Sequence, residues 1–150
     1  MRAVAGALSG TIPQARVHCD EAAELIDTLG DDELARRLDA LVHLATAEMY
    51  LDQFDASGRH AERALAIGRA TGQGDLFPLT VPILGTALWM QGRMAESAEV
   101  IDGAVEAARL VDNLQGVAWN LFNRSFAALA AGDIELALAT SEQSLSLIHI

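Results

Sequence analysis

The chain has 150 residues, with 51% apolar side chains, 5% aromatics and a formal net charge of −11. That length and apolar content suit one domain with a real core and exclude a disordered chain; the acidity repels phosphate backbones and disfavours direct nucleic-acid binding by this segment. All 10 basic residues are arginine, which excludes a Walker-type phosphate loop, Schiff-base chemistry and a lysine general base.

In chain order, residues 1–10 hold one arginine and a weak apolar run broken by Gly6 and Gly10, which is not a signal peptide pattern. Residues 13–29 read as a helix, with Thr11 and Gln14 as a capping box and Gly30 as the stop. It resembles the second helix of a degraded repeat, whose first helix is missing or lies in residues 1–10. Apolar residues at three- and four-residue spacing then predict helix pairs at 34–51 with 55–70, 79–91 with 94–110, and 115–131 with 134–147. The uncharged stretch from Leu76 to Gly92 is shorter than the roughly 20 apolar residues of a membrane span and contains Pro78 and Pro82, so it reads as a buried helix with no membrane role. Asp75 and Thr80 are candidate caps there; with Thr80 as the cap, Pro82 falls in the first turn, where its missing N–H costs nothing. The final Ile148-His149-Ile150 breaks the preceding composition and reads as foreign to the pattern.

Three stretches align without gaps: "LDQFDASGRHAERALAI" from Leu51, "QGRMAESAEVIDGAVEA" from Gln91 and "AGDIELALATSEQSLSL" from Ala131, so the offsets are 91 − 51 = 40 and 131 − 91 = 40. Asp52, Gly92 and Gly132 share the turn position; Phe54, Met94 and Ile134 follow; Leu65, Val105 and Leu145 match further on. Leu41, Val81 and Leu121 align in the preceding helices, while Arg124 and Glu48 stand where apolar residues are expected. The segment "GRMAESAEVIDGAVEAARL" is rich in Ala and Gly, as expected where stacked helices approach closely and neighbouring repeats provide the burial.

The residues Leu44-Ala45, Asp52, Phe54, Ser57 and Ala64-Leu65, with Leu84-Gly85, Gly92, Met94, Ser97, Ile101 and Ala104, and Gly132, Ile134, Ala137 and Ser144, resemble the tetratricopeptide repeat. The period of 40 exceeds the family's usual ~34. With "LDALVHLATAEMYLDQFDASGRHAERALAIGRATGQGDLFP" and "WNLFNRSFAALAAGD", residues 15 to 145 resemble the helical-repeat region of large ATP-binding LuxR-type bacterial transcriptional regulators. The resemblance implies an all-α, right-handed superhelix of stacked antiparallel helix pairs. It also implies a fragment: the signal-receiving or protein-interaction part of a cytoplasmic regulator whose nucleotide-binding and helix-turn-helix domains lie elsewhere, so that DNA is bound by a domain outside this segment. The alternative is a free-standing scaffold that binds a protein partner.

On that resemblance the first helix of each pair lines a concave groove. Its lining is Met49 and Tyr50, then Thr86, Trp89 and Met90, then Trp119, Phe122, Asn123 and Phe126, with Leu129 beyond. Trp119, Phe122 and Phe126 follow i, i+3, i+7 spacing and share one helix face. Two readings fit: a groove for a protein or small apolar effector, or rings that pack one helix on the next. Asn120, Asn123 and Arg124 are either polar contacts at its edge or solvated. The inward positions Val42, Thr46, Pro82, Thr86, Phe122 and Phe126 lack the basic and amide residues of a carboxylate clamp.

No metal, cofactor or catalytic set is expected. His18, Cys19 and Asp20 are adjacent on a helix and diverge, and His18 with Glu21 is a surface pair. His43 and His60 have no partner at ligand spacing, "GQGD" at 72–75 is a loop, and Ser9 is not in a nucleophile elbow. The single Cys19 permits no internal disulfide, which fits a reducing, cytoplasmic setting.

Overall fold

A computed structural model describes residues 2–148. His149 and Ile150, two-thirds of the tail read as foreign to the pattern, lie outside the described residues. The described residues form helices and no strands: α1 (Arg2–Leu8), α2 (Ile12–Thr28), α3 (Asp31–Leu34), α4 (Leu38–Tyr50), α5 (Phe54–Thr71), α6 (Phe77–Met90), α7 (Met94–Leu110), α8 (Leu114–Ala130) and α9 (Ile134–Ile148), with 3-10 turns at Ala35–Arg37 and Gly74–Leu76. They divide into two compact units, Met1–Ile83 and Leu84–Ile150, with the boundary inside α6.

The turns carry the period. Asp52, Gly92 and Gly132 adopt positive φ of 61°, 79° and 82°, and Gly72 and Asp112, midway between them, adopt 71° and 52°. After each comes the same closing bond: Gln53 N–H to the Glu48 carbonyl at 2.8 Å, Arg93 to Leu88 at 2.9 Å and Asp133 to Ala128 at 2.9 Å, with Gln73 to Gly68 and Asn113 to Ala108 at the intermediate turns. This is the Schellman closure, in which a left-handed residue lets the next N–H reach back to the last turn's carbonyls. Glycine takes that conformation freely; Asp52 and Asp112 occupy it as the short polar residues that tolerate it. A helix therefore ends at every twentieth residue from Asp52 to Gly132, half of the 40-residue repeat.

In the first unit, α1 packs on α2, α1 and α2 both pack on α4, and α4 pairs with α5. Leu34, Leu41 and Leu51 are fully buried there with Ala15, Cys19, Ala45 and Ala61. A helix thus does lie in residues 1–10, paired with α2. In the second unit α8 packs on α7 and α9, around Val105, Ala108, Val117 and Leu121, with Leu147 against them. Ser97, Ile101, Val105 and Ala108 form the buried stripe of α7, at the three- and four-residue spacing of one helix face.

Within hairpins the small residues do what close approach requires. Ser57 donates its hydroxyl to the Ala45 carbonyl at 2.9 Å, and Ser97, forty residues on, donates to Gly85 at 2.8 Å. A Cβ on Gly85 would lie 2.7 Å from Ile101 Cγ1, so only glycine admits that contact. In the third pair Ala137 replaces the serine, and Ser144 instead donates to the Ala118 carbonyl at 2.8 Å.

Four local expectations are corrected. α4 starts at Leu38, because Arg37 (φ −140°) breaks the helix; Leu34 belongs to α3, whose N-cap is Gly30. Thr11 forms no capping box: its hydroxyl donates to the Gly6 carbonyl at 3.1 Å. Thr80 is buried inside α6 and donates to the Leu76 carbonyl at 2.8 Å rather than capping. Pro82 consequently sits in the helix interior, where it leaves one intrahelical carbonyl without its usual donor. No helix among the described residues is long and apolar enough to cross a membrane.

Candidate functional site

α8 presents two faces of opposite character. Val117, Ala118, Leu121, Ala127 and Ala128 are buried, whereas Trp119, Phe122, Phe126 and Leu129 are 52%, 42%, 43% and 55% exposed. The rings touch each other in sequence: Trp119 stacks on Phe122 with centroids 5.6 Å apart and 28° between planes, and Phe122 meets Phe126 edge-on at 4.9 Å and 87°. Both are favourable ring arrangements, and they hold the side chains as a continuous ladder along more than one turn. Each of the three residues keeps close to half its surface open. Asn123 lies beside it with its amide turned back onto the Trp119 carbonyl at 2.8 Å.

The other positions expected to line a groove divide between the units. Met49 (half-buried) and Tyr50 (exposed) end α4 in the first unit; Thr86, Trp89 (both half-buried) and Met90 (exposed) end α6 in the second. Val42 and Pro82, placed on the inward face by sequence, are buried. Asn120 and Arg124 do not flank the ladder as solvated edge residues. Asn120 is 2% exposed and donates to the Gly116 carbonyl, while its side-chain oxygen has no hydrogen-bond partner. Arg124 donates through Nε to Asp102 at 2.9 Å, with its side chain largely covered.

A second, polar constellation lies in the first unit. Glu48 of α4, 1% exposed, accepts from His60 Nδ1 at 2.9 and 2.7 Å. His60 of α5 donates through Nε2 to Asp27 of α2 at 3.1 Å. Burial pulls the His60 pKa down, but the hydrogen bonds and charges of Glu48 and Asp27 outweigh it and raise it above its ordinary value. A cavity of about 330 Å³ opens beside this bridge, lined by Asp20, Asp27, Asp52, Asp55, Arg59 and His60 among others.

Its chemistry is that of a clamp. With both ring nitrogens donating, His60 has no lone pair to take a proton. Cys19, fully buried, has its pKa raised to about 11 by burial and by the charges of Glu48 and Asp20, so it is a neutral thiol and not a nucleophile at neutral pH. His18 and Glu21 form the expected surface pair at 3.5 Å. No group of three or more metal-ligating side chains converges among the described residues.

Sequence reasoning missed this clamp, although the signal was present. Glu48 and His60 are twelve residues apart, the same step that joins Ala45 to Ser57 across the hairpin. The corresponding pairs forty and eighty residues on are Leu88 with Val100 and Ala128 with Thr140, neither of them charged. No family model matches the chain, and no curated protein or solved structure shows significant similarity to it.

Proposed function

We propose that this chain is a signal-receiving, protein-interaction module of tetratricopeptide-like repeats, of the kind found in large LuxR-type transcriptional regulators, and that the aromatic ladder of α8 engages its partner. The observation that carries the reading is the half-exposed run Trp119–Phe122–Phe126. Contiguous exposed aromatics on a folded surface mark recognition sites, and Trp is among the strongest interface anchors. The α8 helix carries Arg124 as its single charge, and Asp102 neutralises it, so the surface suits an apolar, uncharged segment of a protein or a small apolar effector. On this reading the module works in the cytoplasm, takes no cofactor, performs no catalysis, and reaches DNA through a domain outside this sequence.

The test is a displayed random-peptide library panned on the wild-type chain and counter-screened on Trp119→Ala and Phe126→Ala. Apolar peptides that bind the wild type and are lost from both variants, with thermal unfolding of the variants little changed, support the reading. Equal loss of binding and folding, or enriched peptides that ignore the substitutions, overturns it.

A further inference from the structure

α9 holds α8 with one face and leaves another open. Ala137, Thr140 and Ser144 are buried, while Ile134, Leu138 and Leu145 are 53%, 59% and 54% exposed. These three, at i, i+4 and i+11, form one stripe. The forty-residue register identifies it. Leu145 corresponds to Val105, Leu138 to Ala98 and Glu142 to Asp102 of α7. On α7 two of those positions seat α8: Val105 clusters with Val117 and Leu121, and Asp102 pairs with Arg124 at 2.9 Å. α9 therefore repeats the chemistry of an occupied interface, apolar stripe and flanking carboxylate included, with nothing seated on it among the described residues.

We propose that the outer face of α9 docks one further amphipathic helix of the α8 type, with aliphatic side chains four residues apart and an arginine three residues after the second, as in Val117, Leu121 and Arg124. Its aliphatic pair covers Leu138 and Leu145, and its arginine meets Glu142. A charged partner of this sign also suits an acidic chain of net charge −11 better than a second copy would. The proposal rests on the repeat register and the charge of the face; it shares no residue with the aromatic ladder, so each stands or falls separately.

The experiment joins a second copy of residues 109–148, which carries the Asp112 turn ahead of its α8 equivalent, directly after Ile148 and follows α9 by amide hydrogen exchange. The appended copy is expected to slow exchange in α9 at least tenfold. Leu145→Asp is expected to abolish that slowing while leaving exchange in α7 and α8 unchanged. Glu142→Arg weakens the protection, and Arg124→Glu made in the appended copy only restores it. If the added helices exchange as a free chain, or the charge swap restores nothing, the proposal fails. It fails equally if the unextended chain sediments as a dimer that Leu145→Asp dissociates, because a second copy then covers the face.

Discussion

Gly85→Ala gives the sharpest test of how the hairpins are held. The new Cβ would stand 2.7 Å from Ile101 Cγ1 and 2.8 Å from Cδ1. Carbon atoms in ordinary contact sit at about 3.5–4.0 Å, so the overlap is close to 1 Å. Ile101 is 0% exposed and has nowhere to retreat. Overpacking of this kind costs about 1–3 kcal/mol, against about 0.5–1 kcal/mol gained by removing a helical glycine. The balance is a net loss near 1 kcal/mol, a Tm decrease of roughly 2–4 °C for a domain of this size. Gly103→Ala is the internal control: it lies in α7 with nothing within 4 Å of the added Cβ. It should gain the propensity term alone and raise Tm by roughly 1–4 °C. Ile101→Val removes the Cδ1 methyl, so in the Gly85→Ala background its cost should fall by about 0.5 kcal/mol or more relative to wild type. Calorimetry of the four variants against the wild type decides. If Gly85→Ala stabilises as much as Gly103→Ala, close backbone approach does not explain the small residues.

Three further outcomes are expected. His60 gains its proton more readily when folded than at its ordinary value of 6.5, so its contribution to stability is complete below that pH and lost as pH rises through the folded value; urea unfolding of the wild type should show this decline, and His60→Gln should flatten it. Glu48→Leu alone strands a buried histidine and should cost about 3 kcal/mol, whereas Glu48→Leu with His60→Val, the Leu88 and Val100 of the next repeat, should be near neutral in the same assay. Ser97→Ala removes a buried bond and should cost about 1 kcal/mol, while Ala137→Ser, which offers a hydroxyl to the Ser125 carbonyl at the same register, should stabilise by up to about 0.5 kcal/mol in chemical denaturation.

The helices were legible because their punctuation is local. The span expected for α7 coincides with Met94–Leu110, since the left-handed positions at Gly92 and Asp112 bound it on both sides. Where the apolar rhythm runs on through a break it misleads: Leu34, Leu38 and Leu41 keep helical spacing across Arg37, whose backbone leaves the helix. Thr80 could be read as a cap because threonine hydroxyls bond backbone at helix starts and, as here, to the carbonyl four residues back. The ladder's shared face followed from spacing, but its exposure depends on which neighbours cover α8, which no single helix encodes. Glu48 and Arg124 both registered as faults in the pattern; their partners, His60 and Asp102, lie on other helices and became visible only in three dimensions.

The clamp at His60 joins side chains thirty-three and twelve residues away in sequence, whereas the serine bonds that close the hairpins span twelve. Most of the architecture can therefore assemble between near neighbours along the chain, and such topologies fold in microseconds to milliseconds. The exceptions fasten the amino-terminal helices: Asp27 to His60, Arg16 to the Leu51 carbonyl and Arg63 to Asp31 and the Leu29 carbonyl span 32 to 35 residues, and they form only after α2 has docked on a hairpin already formed. Fastening of the amino-terminal helices is thereby placed late in the order of assembly and should report, in stopped-flow mixing, as a slower phase sensitive to Asp27→Asn.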